Sequence, residues 1–270
     1  MRTTMRTNKT ALLAATLAGA LLSLPQISLA ASGAAAQAQS SNPAASDAAA
    51  RLDKKQFHNV TVSVDNGIAT LSGTVDLYEY KLDADKRIHK AKGVTAVRNE
   101  IEVAGPSVPD AELQSKLVEK LAYDRVGYGN VFNAITVSVQ NGAVALGGHA
   151  RTPVDKDSAL ALVSTYPGVK DVNDEIQVDP VSMMDDHTRM AVARAVYGYP
   201  SLNKYAVDPA KTIRISVQNG NVELYGVVDT QSDKDTAFLR ANGVPGVFSV
   251  KNFLQVANQP SEGQKQVAAQ

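Results

Sequence analysis

Val60-Thr-Val-Ser-Val-Asp-Asn-Gly67 recurs further along the chain as Ile135-Thr-Val-Ser-Val-Gln-Asn-Gly142, and again as Ile213-Arg-Ile-Ser-Val-Gln-Asn-Gly220. The offsets between these stretches also relate Gly73, Gly148 and Gly226, and then the Gly-Val steps that begin at Gly93, Gly168 and Gly246. They relate the apolar trios Val97/Ile101/Val103, Val172/Ile176/Val178 and Val250/Leu254/Val256 as well. Landmarks that keep one order and one spacing through three stretches make the chain a tandem array of three copies.

Each copy reads locally in the same way. Val60, Val62 and Val64 alternate with Thr61 and Ser63, the period-two pattern of a half-buried strand. Asn-Gly then supplies a two-residue hairpin turn, because both residues tolerate positive φ. Ala69, Leu71, Gly73 and Val75 form the inward face of the returning strand. A glycine on that face implies close approach of another backbone, which we assign to the helix that follows. That helix starts at a Thr N-cap with an acid three residues on, in Thr152–Asp155 and Thr230–Asp233. Ala84/Ile88/Ala91 and Ala159/Val163/Tyr166 then share one helical face. The Gly-Val step ends the helix before a last strand. A leading helix, marked by Leu113, Leu117 and Leu121 in copy two and by Val192 and Val196 in copy three, precedes the hairpin. In copy one it has room for only about two turns over Asp47–Lys55. The expected fold is therefore α+β: three small αββαβ modules, each a three-stranded mixed sheet with two helices on one face.

The ends read differently. Arg2, Arg6 and Lys9, an apolar run over Ala11–Leu24, and Ser28-Leu29-Ala30 predict a cleaved export signal over 1–30. The run falls short of the roughly 20 residues that span a bilayer, so no transmembrane span is expected after cleavage. Residues 31–45 read as a flexible linker and 258–270 as a disordered tail. Between them lie module one at 46–105, module two at 109–180 and module three at 183–257. Periplasmic location follows from the signal. Lys plus Arg equals Asp plus Glu at 27 each, so no basic field is available for nucleic acid. Cys is absent, which excludes disulfides, thiolate catalysis and thiolate metal sites.

The unit resembles the BON domain (bacterial OsmY and nodulation), on Val62–Val103, Val137–Val178 and Ile215–Val256. Their shared pattern is a hydrophobic strand, an Asn-Gly turn, a returning strand with an inward Gly, a helix, a Gly-Val step and a Val-rich strand. The resemblance implies an envelope-stress module that binds phospholipid membranes or other envelope components. Some members carry a lipid on an N-terminal Cys; this chain has no Cys and is expected to be soluble, as in the osmotically inducible branch. Three copies rather than the commoner two leave open which one binds.

No enzyme motif stands out, and no cofactor is expected. His58, His89, His149 and His187 share neither helical spacing nor a repeat position, so no metal site is expected. Asp155/Asp157 and Asp233/Asp235 fall in first helical turns, where acids are favoured without a cation. The candidate binding surface lies between the leading helix and first strand: Tyr123, Arg125 and Tyr128 in copy two, and Arg189, Arg194, Tyr197, Tyr199, Lys204 and Tyr205 in copy three. Tyr beside a cation suits a bilayer interface, with the ring at headgroup depth and the charge on lipid phosphate. Asp124, Asp185, Asp186 and Asp208 interrupt these bases, and packing of the tyrosines on the sheet edge explains them as well. Phe57, Phe132, Phe238, Phe248 and Phe253 are expected in cores or between repeats, and Met183, Met184 and Met190 as gap-fillers. The partner expected is an anionic phospholipid surface or an envelope protein. Its rivals are a protein–protein adaptor without lipid contact and a cation-responsive module built on the Asp-x-Asp turns.

Overall fold

The computed structural model describes residues 43–124 and 130–257. The expected signal, most of the linker and the tail lie outside the described residues. Helix α1 (Pro43–Arg51) leads into strands β1 (Val60–Asp65) and β2 (Ile68–Val75), helix α2 (Tyr78–Ile88) and strand β3 (Ala96–Val103). The second module repeats this with α3 (Asp110–Tyr123), β4 (Ala134–Gln140), β5 (Ala143–Ala150), α4 (Pro153–Ser164), β6 (Asp171–Asp174) and β7 (Gln177–Val178). The third has α5 (Met183–Tyr197), β8 (Arg214–Gln218), β9 (Asn221–Tyr225), β10 (Val227–Val228), α6 (Gln231–Asn242), β11 (Ser249–Asn252) and β12 (Gln255–Val256).

In the main sheet of each module the hairpin strands pair antiparallel and the strand after the crossover helix pairs parallel with the second, while β10 and β12 pair parallel in a short sheet of their own. The hairpins close on Asn66-Gly67, Asn141-Gly142 and Asn219-Gly220, all at positive φ, so the two-residue turn is the primed type that suits strand twist. Three cores result. Leu113, Leu117, Leu146 and Val163 are fully buried in the second, and Val192, Val196, Ile215 and Leu224 in the third. Each buried Leu contributes about 2 kcal/mol of transfer free energy. The modules also touch. Tyr78 and Leu82 of α2 pack into the second core, and Val131 packs against the third.

Two expectations need correction. The leading helix of module one starts at Pro43, inside the stretch expected to be linker, and ends at Arg51. An Ala-rich segment has high helix propensity, Ala48 is buried, and Arg51 pairs with Asp47 at 2.9 Å. The inward glycines do not admit the helix. A Cβ on Gly73 or Gly148 would lie 2.0 Å from the carbonyl oxygen of Asn59 or Ala134, and one on Gly226 would lie 3.0 Å from that of Thr212. The close backbone belongs to the entry of the first strand, against which the second strand bends.

One acid recurs with a purpose invisible locally. The carboxylate of Asp185, in the first turn of α5, accepts hydrogen bonds from the backbone N–H groups of Asn219 (3.0 Å) and Gly220 (2.8 Å). Asp110 of α3 does the same for Asn141 (2.7 Å) and Gly142 (2.9 Å). The leading helix is thereby clipped to the hairpin tip of its own module. Asp185→Ala should lower stability by about 2 kcal/mol, since each charged hydrogen bond to a backbone amide is worth roughly 1.5–3 kcal/mol with partial compensation by water. Urea denaturation checks this, and a loss below about 0.5 kcal/mol would show that the clip is decorative.

Candidate functional site

The structure scatters the candidate residues. Arg125 and Tyr128 lie outside the described residues. Tyr123, the last residue of α3, is half exposed, and its hydroxyl donates to Asp208 Oδ1 at 2.8 Å, a contact from the second module to the third. Arg189 is buried, with only 3% of its side chain exposed. Its Nη2 donates to Asp179 Oδ2 (3.2 Å) and to the Val217 carbonyl (2.9 Å), and its Nη1 pairs with Asp186. Tyr205 is also buried: its hydroxyl donates to Asp233 Oδ2 at 2.9 Å and accepts from the Asp229 N–H at 2.7 Å. Neither can touch a membrane. The alternation of Tyr with basic residues that suggests a surface serves internal pairing at both positions.

Tyr197 is partly buried at the end of α5, its hydroxyl donating to the Ile213 carbonyl. Burial pushes that phenol well above its ordinary range, so it stays a neutral donor. Lys204 sits between Asp229 Oδ2 (2.7 Å) and Asp233 Oδ2 (3.1 Å) and lies 4.9 Å from the Tyr205 ring centroid. Those carboxylates, Asp229 first, raise its affinity for its proton and also cancel its charge. Burial works against ionising Asp233, but the hydrogen bonds from Lys204, Tyr205 and Thr230 outweigh it and hold the carboxyl below the usual range. Thr230 caps α6 by accepting from the Asp233 N–H, and the Asp233 carboxylate anchors two side chains, which accounts for one Asp-x-Asp without a cation. Asp155 is likewise buried at the cap of α4, accepting from the Thr152 hydroxyl at 2.7 Å.

Arg194 and Tyr199 remain at the surface. The Arg240 guanidinium lies over the Tyr199 ring, 5.4 Å from its centroid, and its Nε donates to the Ala195 carbonyl at 3.2 Å. Leu239 next to it is 66% exposed. The α5–α6 corner thus pairs the exposed Tyr199 ring with the Arg240 guanidinium, and Arg194 of α5 and Leu239 of α6 are exposed on these elements. Sequence reasoning missed Arg240 because it stands on a different helix, far along the chain from Tyr199, and carries no local signal. Three further expectations fail on exposure. Phe248 is 81% exposed, Phe253 is half exposed and stacks on Tyr225 at 5.1 Å, and Met183, Met184 and Met190 point outward rather than filling gaps. Among the described residues no cluster of His, Cys, Asp and Glu could hold a metal ion, and no helix is long and apolar enough to cross a membrane.

The BON domain model matches this chain three times, at residues 41–105, 109–180 and 200–258. The chain belongs to the BON family. Among curated proteins, the osmotically-inducible protein Y of Escherichia coli (strain K12) is 26% identical over 153 residues, covering 52% of this chain and 71% of that protein. An uncharacterized protein in the gshII 5'region of Anaplasma centrale is 28% identical over 126 residues, covering 43% and 79%. Two solved structures of CdsD, a structural protein of the type III secretion system of Chlamydia trachomatis, align over 83% and 80% of the chain. Each covers 96% of the solved chain at 16% identity, with TM-scores of 0.24 and 0.22. In BON terms, module one has Arg87 at the repeat position of Arg240, its guanidinium 5.8 Å from the ring centroid of the buried Phe57 rather than over an exposed tyrosine. The residue of α4 at the repeat position of Arg240 is Leu162.

Proposed function

We propose that this BON protein is a non-enzymatic envelope protein of the periplasm that engages phospholipid membrane surfaces and supports the envelope under osmotic or other stress. The observation that carries the lipid contact is the exposed Tyr199 ring beneath Arg240 of α6, with Arg194 exposed on α5 and Leu239 exposed on α6. A ring and an apolar side chain can enter the headgroup layer while two cations meet lipid phosphate. The likeness to an osmotically inducible protein supports the stress role, and the leader-like residues 1–30 support export.

Liposome co-sedimentation tests this. Binding of the full chain should rise with the fraction of anionic lipid and fall with salt. Tyr199→Ala combined with Arg194→Ala should weaken it by about five-fold or more, since each cation near an anionic surface is worth about 1 kcal/mol. An absence of sedimentation at low salt would instead favour the envelope adaptor. That reading draws on the apolar side chains of Val181, Met183, Met184 and Phe248, all strongly exposed at the start of α5 and before β11.

A further inference from the structure

The seam between the second and third modules holds an imidazole between two carboxylates. His149, near the end of β5, has Nδ1 3.2 Å from Asp179 Oδ1 and Nε2 3.7 Å from Glu223 Oε2. Asp179 directly follows β7 of the second module and Glu223 stands on β9 of the third. The Asp179 side chain is 1% exposed and that of His149 17%, so water screens the pair poorly.

The surroundings are charged on every side. Asp179 also accepts from Gln218 Nε2 (2.8 Å), Ser216 Oγ (3.3 Å) and Arg189 Nη2 (3.2 Å). Glu223 accepts from the Tyr225 hydroxyl (2.6 Å) and from Lys251 Nζ of β11 (3.1 Å). Behind Arg189 stand Asp186 of α5 and Arg151, which follows β5 and reaches Asp186 at 3.4 Å. A neutral imidazole can serve only part of this set. Gln218 Nε2 lies 2.9 Å from Nδ1, so an unprotonated Nδ1 accepts from Gln218 and cannot donate to Asp179. A charged ring donates from Nδ1 to Asp179, which requires the Gln218 amide to give up its donation to Nδ1, and holds its Nε2–H 3.7 Å from Glu223 as an ion pair.

We infer that His149 is a proton-operated latch on this seam, closed when the charged imidazole bridges Asp179 and Glu223 and released when the ring is neutral. The hydrogen bond with Asp179, with help from the charge of Glu223, holds the imidazole above its ordinary range against burial and Lys251. A group whose affinity for its proton is raised by folding stabilises the fold fully below the unfolded value of about 6.5, and that contribution is lost as pH rises through the higher folded value. Asp179 and Glu223 shift the opposite way: burial opposes their ionisation, and the donors around them outweigh it. Their contribution is present above the ordinary carboxylate range and is lost as pH falls through their lowered values. The latch is therefore strongest between the carboxylate and histidine ranges and opens on the alkaline side.

The test uses the full chain and His149→Gln, which keeps a donor and removes the titration. Between about pH 5.5 and 8.5 the melting temperature of the wild type should fall by about 2–4 °C more than that of the variant, the shift that about 1 kcal/mol produces in a chain of this size. His58, His89 and His187 are common to both proteins and cancel in the comparison. If the variant fails to fold, NMR titration of His149 in the wild type and in Glu223→Gln decides. A midpoint above the ordinary histidine value that drops when Glu223 is neutralised supports the latch. A midpoint at or below the ordinary value, or equal pH profiles in the wild type and His149→Gln, overturns it. Neither readout depends on membrane binding, so failure of the latch leaves the lipid assay interpretable.

Discussion

Replacing Arg189 by alanine should destabilise the seam and the third module by about 3–5 kcal/mol, the cost of leaving a buried carboxylate without its cation. Both side chains of the Arg189–Asp179 pair are almost fully excluded from water, at 3% and 1% exposure. Arg189 also donates to the carbonyl of Val217 on β8, so its removal strands a backbone acceptor as well as a charge. Ser216 and Gln218 still donate to Asp179, and a protonated His149 still pairs with it, which keeps the cost near the lower end of that range. Chemical denaturation of the full chain, followed by a probe in the third module, measures it. A loss below about 1 kcal/mol would mean that water reaches Asp179 and that the pair behaves like a surface salt bridge. Vesicle binding by the folded fraction should be unchanged, because Arg189 is not at the surface.

The second large effect is expected at Gly148. Gly148→Ala should cost about 2–5 kcal/mol, combining the penalty for a side chain at positive φ with the backbone shift that a new Cβ forces. The residue has φ of +82°, and its Cβ would sit 2.0 Å from the carbonyl oxygen of Ala134. That oxygen cannot rotate away, because Ala134 is buried and paired with His149 in the sheet register. Its neighbour supplies the control. A Cβ on Gly147 would meet only the Thr136 hydroxyl at 3.1 Å, a group free to change rotamer. Gly147→Ala should therefore stay within about 1 kcal/mol of the wild type. Equal thermal shifts for the two variants would refute this account of the strand bend.

The modules were legible in the sequence because their signals are local. Alternating Val, the Asn-Gly turns, the Thr caps of α4 and α6 and the Ala/Val/Ile face of the crossover helix each express the backbone or rotamer preferences of neighbouring residues. Threefold repetition then multiplied weak local signals into a specific family pattern. The candidate surface was legible only in part. Tyr199 and Arg194 stay outside, whereas Arg189 and Tyr205 look the same in sequence and turn inward to Asp179 and Asp233.

What the sequence by itself determined is the number of modules, their order of elements and the conformation of each hairpin turn. Tertiary structure alone decided which carbonyl crowds Gly148, which turn Asp185 clips, which ring Arg240 covers and which carboxylates hold His149. Each of those pairings joins groups that lie well apart along the chain, beyond the reach of neighbouring-residue preferences. A charged side chain in the primary structure does not say whether its counter-charge will be water, lipid phosphate or a carboxylate of the next module. Desolvation settles that choice, and it depends on how the modules pack.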